Sequence, residues 1–283
     1  MADPVISISG LRKSYGDVEA VRGIDLEVRE GEIFAFLGPN GAGKTTCVEI
    51  LEGYRRRDAG EVSVLGEDPQ RAGRGWRERI GIVLQGGRLE PYLTVAESLS
   101  LYAGYYRSPR PVEEVIETVG LGGKADERAG RLSGGQQRRL DVGLALVGDP
   151  DLLFLDEPTT GFDPSARRQA WDVIAGLRDL GKSVFLTTHY MDEAQRLADR
   201  VAIVAAGEVV ARGTPEDLGE RESQPATISY RRGGEEVRLE TATPVEALNE
   251  LTGRALAEGA ELERLEVTRP SLEDVYLELT RSE

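Results

Sequence analysis

Gly38-Pro39-Asn40-Gly41-Ala42-Gly43-Lys44-Thr45 is a glycine-rich run that ends in a lysine and a hydroxyl. It fits the spacing G-x-x-x-x-G-K-[ST] and sits between a short apolar run, Glu32–Leu37, and a helical pattern from about Lys44 to Glu52. Glycines let a backbone wrap closely around an anion and reach φ > 0. The free N–H groups of such a loop, and of the helix start behind it, then point at phosphate oxygens. Lys44 would place a cation on the β and γ phosphates of a nucleotide and Thr45 a hydroxyl on Mg²⁺, with Thr46 beside it. An ordinary glycine-rich strand–helix turn is the bland alternative, and the full pattern in this context disfavours it.

Leu152-Leu153-Phe154-Leu155-Asp156-Glu157 supplies two carboxylates at the end of a buried strand. Asp156 is placed to hold Mg²⁺ through water. Glu157 is the candidate general base or water-orienting group for attack on a γ-phosphate, a role that contributes about 10²–10⁴-fold. Alone, the run would read equally as a strand with a solvated acidic turn. Leu132-Ser133-Gly134-Gly135-Gln136 is a second glycine-rich helix start, with Ser133 suited to an N-cap. Its N–H groups and dipole again favour an anion. One chain thus carries two phosphate-binding helix termini with a helical stretch between them.

Leu-Ser-Gly-Gly-Gln between the two nucleotide motifs resembles the signature of ABC ATPases. In that family it meets the γ-phosphate of ATP held by the other subunit, so two ATP molecules are buried in a head-to-tail dimer. The resemblance covers residues 4–220 and implies further roles. Tyr15, in Lys-Ser-Tyr-Gly, matches the aromatic residue that stacks on adenine. Gln85 matches the glutamine that contacts Mg²⁺ or the lytic water and senses the membrane partner. Pro158–Asp163 matches the loop that crosses the dimer interface, with Phe162 where leucine is usual. His189, the single histidine, matches the switch residue at the γ-phosphate. Arg269–Leu277, Gly81–Gln85 and Thr187–Ala194 look like the branch that pairs with ABC-2 type permeases, including daunorubicin-resistance-like exporters. For that C-terminal segment an amphipathic helix packed on the domain is the bland reading.

The elements that would hold these groups alternate in type. Val5–Ser9, Ile24–Val28, Glu32–Leu37, Val62–Leu65, Ile80–Leu84, Leu152–Leu155 and Ser183–Thr188 read as strands. Val201–Ala205 and Glu208–Ala211 read as a hairpin. Helical spacing runs from about Tyr92 to Val119, from Gly134 to Val147 and from Ala166 to Leu180. The expected fold is therefore α/β: a P-loop NTPase with a mostly parallel sheet, an antiparallel β subdomain and an inserted helical subdomain at about 86–150. The chain turns polar at 221–225. Beyond it, a β-β-α-β-α pattern predicts a small α+β accessory domain over 221–283, separate from an ATPase domain over 1–220.

Composition narrows the partners. No apolar run approaches the roughly 18 residues of a membrane span, and the start Met1-Ala2-Asp3-Pro4 is not a signal segment. A net charge of -15 argues against DNA, RNA or anionic lipid as partner. The expectation is a cytoplasmic homodimer, or a dimer with a related ATPase subunit. It would sit at the inner face of the membrane through an integral ABC-2 type permease, without inserting itself. ATP and Mg²⁺ are the expected cofactors, and export of drugs or hydrophobic compounds the expected task. The alternatives are an importer subunit, a non-transport ABC ATPase, or a regulatory module with little turnover. Cys47, the single cysteine, excludes an internal disulfide. Lying in the first turn of the helix after Lys44, it reads either as a thiol activated by the dipole and the lysine or as a small core residue.

Overall fold

Ile6, Ile8 and Leu11 are buried among polar neighbours, the pattern of a strand with one face on a core. They belong to β1 (Ile6–Tyr15), which pairs antiparallel with β2 (Val18–Val28). The fully buried β3 (Ile33–Leu37) leads into α1 (Lys44–Leu51). Next come β4 (Ala59–Val64), α2 (Arg74–Arg77) and β5 (Ile80–Val83). Then α3 (Val95–Ala103), α4 (Val112–Thr118) and α5 (Gly134–Leu146) follow without an intervening strand. The chain continues through β6 (Leu152–Asp156), α6 (Pro164–Asp179), β7 (Ser183–Thr188), α7 (Met191–Leu197), β8 (Arg200–Ala205) and β9 (Glu208–Gly213). Its last described elements are α8 (Pro215–Gly219), β10 (Ala226–Arg232), β11 (Glu235–Thr241), α9 (Pro244–Glu258) and β12 (Glu263–Thr268).

This computed structural model describes residues 4–86, 89–219, 226–232 and 235–268. Contacts divide the chain into two units, Met1–Arg212 and Gly213–Glu283. The composition change at 221–225 lies outside the described residues, as do the expected last helix and the Arg269–Leu277 segment.

In the first unit a six-stranded sheet has the order β5-β6-β7-β3-β8-β9, and its neighbours from β5 to β8 pair in parallel. A separate antiparallel sheet has the order β2-β1-β4. Phe34, Phe36 and Phe154 gather round Phe185 with centroids 5.6–5.9 Å apart, joining neighbouring parallel strands by ring packing. The second unit contains an antiparallel sheet of order β11-β10-β12, with α9 packed on β10.

Tyr92–Val119 forms two helices rather than one. Pro109 and Pro111 stand between α3 and α4, where missing N–H groups and fixed φ angles break a helical ladder. α3 begins at Thr94 with a reciprocal capping box to Glu97. The strand expected over Ile80–Leu84 stops at Val83, and Leu84 emerges 49% exposed.

Candidate nucleotide-binding site

Parallel register brings the motif loops to one edge of the sheet. Leu37 pairs with Thr188, Asp156 with Thr187, and Val83 with Leu155. The segments after β3, β6, β7 and β5 therefore leave the sheet together, at the carboxyl ends where ligands of open α/β sheets bind.

The loop after β3 requires glycine at two places. A Cβ on Gly38 would collide with the carbonyl oxygen of Val204, and one on Gly43 with that of Ala20. Gly43 also has φ 95° and caps α1 without a side-chain hydrogen bond, leaving the first N–H groups of the helix unoccupied by a cap. Lys44 is 5% exposed. Its Nζ donates to the carbonyls of Gly38 at 2.8 Å and Pro39 at 3.1 Å. Burial lowers its proton affinity, while Glu157 and then Asp156 pull the other way. Such a buried cation, held inside a loop of free N–H groups, fits a polyphosphate.

Glu157 is the hub of the site. Its Oε1 lies 3.5 Å from Lys44 Nζ. Its Oε2 accepts from Gln85 Nε2 at 2.9 Å and Thr160 Oγ1 at 3.2 Å. His189 Nδ1 is 3.4 Å from the same oxygen without making a hydrogen bond. The Glu157 backbone has φ 44°, a left-handed conformation that costs a non-glycine residue about 1–3 kcal/mol. Thr187 helps to hold it there. Its hydroxyl accepts from Glu157 N at 3.0 Å and donates to Asp156 Oδ1 at 2.6 Å.

Asn40, Gly41, Gly43, Lys44, Thr45, Thr46, Gln85, Glu157 and His189 line one cavity of about 510 Å³, together with Ala20 and Thr160. Gly38, Pro39 and Ala42 shape the loop behind it, and Asp156 lies beneath at 7% exposure. Among the described residues no group of three or more His, Cys, Asp or Glu could hold a metal unaided. Thr45, Gln85 and Asp156 form a sparse oxygen-donor set, which suits a Mg²⁺ that keeps waters and phosphate oxygens as ligands. Tyr15 is 41% exposed, its hydroxyl 3.4 Å from Thr46 Oγ1, with Arg55 5.2 Å from its ring centre.

Ser133 caps α5 reciprocally with Gln136, whose N–H reaches Ser133 Oγ at 3.3 Å while Gln136 Oε1 accepts from Ser133 N at 2.9 Å. Ser133, Gly135 and Gln136 do not line the cavity around Lys44. Gly134 instead borders a second cavity of about 360 Å³ with Gln85, Glu157 and Phe162. The two glycine-rich helix starts therefore do not share one phosphate-sized space within this chain.

Sequence reading missed three residues that support the site. Thr187 looked like any strand threonine. Arg138 looked like a solvated helical arginine, yet it is 9% exposed. It donates to the carbonyls of Leu84, Asp156 and Pro158, tying α5 to the ends of β5 and β6. Its place one turn before buried Val142 was the available signal. Glu193 is fully buried and accepts from Thr159 Oγ1 at 2.7 Å and Trp171 Nε1 at 3.0 Å. It ties the loop after Glu157 to α7. Cys47 corrects the activated-thiol expectation. It is completely buried, and burial pushes its pKa up to about 12, against the helix dipole.

The family described as ABC transporter matches residues 21–160. A Nod factor export ATP-binding protein I of Rhizobium sp. (strain N33) is 40% identical, over 100% of this chain and 99% of that one. Daunorubicin resistance ATP-binding protein DrrA3 of Streptomyces coeruleorubidus is 38% identical, over 99% and 97%. Among solved structures, cbiO1 from Clostridium perfringens, part of an ABC transporter complex, superposes with a TM-score of 0.71 at 28% identity, over 77% of this chain and 91% of that one. A dimeric ATP-binding cassette bound to ADP and Pi gives 0.65 at 26%, over 74% and 98%. The two ATP-binding relatives match this chain from end to end, and it belongs to the ABC transporter family as an ATP-binding subunit.

Proposed function

We propose that this chain hydrolyses MgATP at a composite site shared by two copies arranged head to tail, and that closing and reopening of the dimer drives a separate ABC-2 type permease. The observation that carries the reading is Glu157, a carboxylate against Lys44, Gln85, Thr160 and His189 at the mouth of the phosphate cavity. In it, Lys44 and the loop N–H groups hold the β and γ phosphates. Thr45, Gln85 and Asp156 would hold a Mg²⁺, which would supply charge neutralisation to the phosphates. Glu157 orients water and takes its proton, Gln85 keeps the carboxylate aimed, and His189 faces the γ-phosphate. Tyr15 offers a ring to adenine. Ser133 to Gln136 of one copy would complete the site of the other, consistent with the absence of Ser133 from its own chain's cavity.

Export is the direction favoured by the names of the two relatives above, one a Nod factor export protein and the other a daunorubicin resistance protein. No described helix is long and apolar enough to cross a membrane, so the proposed attachment at the inner face runs through the permease. Light scattering of Glu157→Gln tests the reading: MgATP should convert it from monomer to a long-lived dimer. A monomer at saturating MgATP would overturn the composite site.

A further inference from the structure

Glu157 holds a left-handed backbone conformation, which a non-glycine residue keeps only where its surroundings fix the chain on both sides. On the amino-terminal side the Thr187 hydroxyl meets the Glu157 N–H at 3.0 Å. On the other side the chain turns tightly. Thr160 N donates to Glu157 O at 3.3 Å, and Phe162 N to Thr159 O at 3.2 Å. Such turns keep their own shape but do not anchor the loop to the rest of the protein. Two side chains do. Arg138 reaches the Pro158 carbonyl from α5 at 3.2 Å. From α7, Glu193 Oε1 accepts the hydroxyl proton of fully buried Thr159 at 2.7 Å.

Glu193 is a costly residue to place there. It is fully buried, and its Oε2 has no hydrogen-bond partner among the described residues. Burial, with Asp192 adding, raises its pKa against its polar neighbours Thr188, Thr159 and Trp171. A leucine of similar volume would be cheaper to bury. What the carboxylate adds is direction. Its Oε1 also accepts from Trp171 Nε1 at 3.0 Å, so α6, α7 and the loop after Glu157 meet at one oxygen. α7 begins two residues after His189, whose Nδ1 stands 3.4 Å from Glu157 Oε2. The loop after Glu157 and the histidine facing it thus depend on the same short helix.

We infer that Glu193 is a positioning residue for hydrolysis: by holding Thr159 it keeps Glu157 in its left-handed conformation with the carboxylate aimed into the phosphate cavity, and it makes the Pro158–Asp163 loop and His189 shift as one body. The inference rests on the hydrolysis reading above and adds the residue that sets its geometry. Glu193 does not line the cavity around Lys44. Removing its acceptor oxygen therefore leaves the phosphate loop whole and falls on the chemical step rather than on nucleotide binding.

MgATP turnover and equilibrium ATP binding of the full chain supply the test. Glu193→Leu keeps the volume and removes the acceptor. Its kcat should fall at least tenfold and up to about 100-fold, the loss that a small misplacement of a reacting group causes. KM and ATP affinity should stay within threefold. Glu193→Gln, whose amide carbonyl can accept both bonds, should bring kcat back to within threefold of wild type. Thr159→Val should lose kcat by a factor similar to Glu193→Leu, and the two together should lose no more than either alone. Trp171→Phe leaves the Thr159 bond in place and should keep kcat within threefold. If Glu193→Leu fails to fold, Thr159→Val carries the test, with Thr159→Ser as its rescue. Smaller losses, losses that multiply in the double variant, a Gln or Ser variant that rescues nothing, or a Trp171→Phe as slow as Thr159→Val overturn the inference. So does ATP affinity that falls in step with kcat, because the role is then only structural. All of these leave the hydrolysis reading standing. A wild-type chain that does not hydrolyse MgATP, or a Glu157→Gln variant as fast as wild type, refutes that reading instead.

Discussion

Lys44 Nζ and Glu157 Oε1 lie 3.5 Å apart, with their side chains 5% and 11% exposed. The lysine of the phosphate loop thus rests against the carboxylate that the proposed chemistry needs. A γ-phosphate would compete for the same lysine and free Glu157 to face water. Glu157→Gln keeps the shape and the contacts to Gln85 and Thr160 but loses the charge. Its steady-state turnover should fall by about 10²–10⁴-fold with ATP affinity retained, as measured by phosphate release and equilibrium binding. Turnover near wild type would remove Glu157 from the mechanism.

The separation of Ser133 from the Lys44 cavity predicts complementation in trans. Lys44→Ala and Ser133→Arg each spoil both sites of a homodimer. In the mixed dimer one site carries both defects and the other carries neither. Mixing the two inactive proteins should therefore restore part of the ATPase activity. Full activity from Ser133→Arg shown to be monomeric under assay would defeat the composite site.

The succession of strands along the chain and the glycine-rich loop were legible because each rests on a local rule. An apolar run followed by G-x-x-x-x-G-K-T needs no partner to be read, and Ile33–Leu37 is indeed buried throughout. The capping box of Ser133 with Gln136 is local in the same sense. What stayed hidden depends on distant packing. Nothing beside Thr187 in sequence announces that its hydroxyl bridges Asp156 and the Glu157 backbone. Nothing local shows that Arg138 closes three carbonyls, or that Glu52 is buried without a hydrogen-bond partner among the described residues. The break between α3 and α4 was readable from Pro109 and Pro111, but helical periodicity on either side obscured it.

The segment after Gln85 is expected to dock the permease. Leu89 lines a cleft at α1 and α5, and Tyr92 is 76% exposed. Changing either to Asp places a charge on an apolar contact without touching the phosphate cavity. Transport in cells should fall at least tenfold while ATPase activity of the isolated chain stays within about twofold, because desolvating an unpaired charge at an interface costs several kcal/mol. Unaffected transport in both variants would place docking elsewhere.

Asp68 gives an acid-stability prediction. Arg57 grips it with two 2.8 Å hydrogen bonds, and its pKa drops to about 2, chiefly through that bond and against some burial. A carboxylate whose folded pKa is depressed stabilises the fold above its unfolded pKa. The contribution is lost as pH falls from about 4 through 2. Asp68→Asn should therefore lower stability at neutral pH by about 1–3 kcal/mol, the cost of leaving a hydrogen-bonded arginine without its anion. The difference from wild type should shrink toward pH 2. Urea melts at pH 7 and pH 3 measure it, and a difference that does not change with pH would refute the charge-based account.

Cys47 decides between two opposed physical effects. The first turn of α1 and the nearby lysine favour a thiolate, while complete burial disfavours it. Burial wins, since the pKa stands at about 12. At pH 7.5 almost no thiolate exists, and no reagent can reach the sulfur without an opening of the structure. Iodoacetamide should leave the folded protein unlabelled over hours, with or without MgATP, and label it within minutes in urea. Cys47→Ala should keep turnover and lose modest stability through the small cavity it leaves. Cys47→Ser should lose more, about 1–3 kcal/mol, because it buries a hydroxyl among Val48, Ile50 and their neighbours. Mass spectrometry follows the labelling and thermal melts the stability. Rapid alkylation of the native chain that MgATP slows would show instead that the dipole prevails and that Cys47 reports on the phosphate loop.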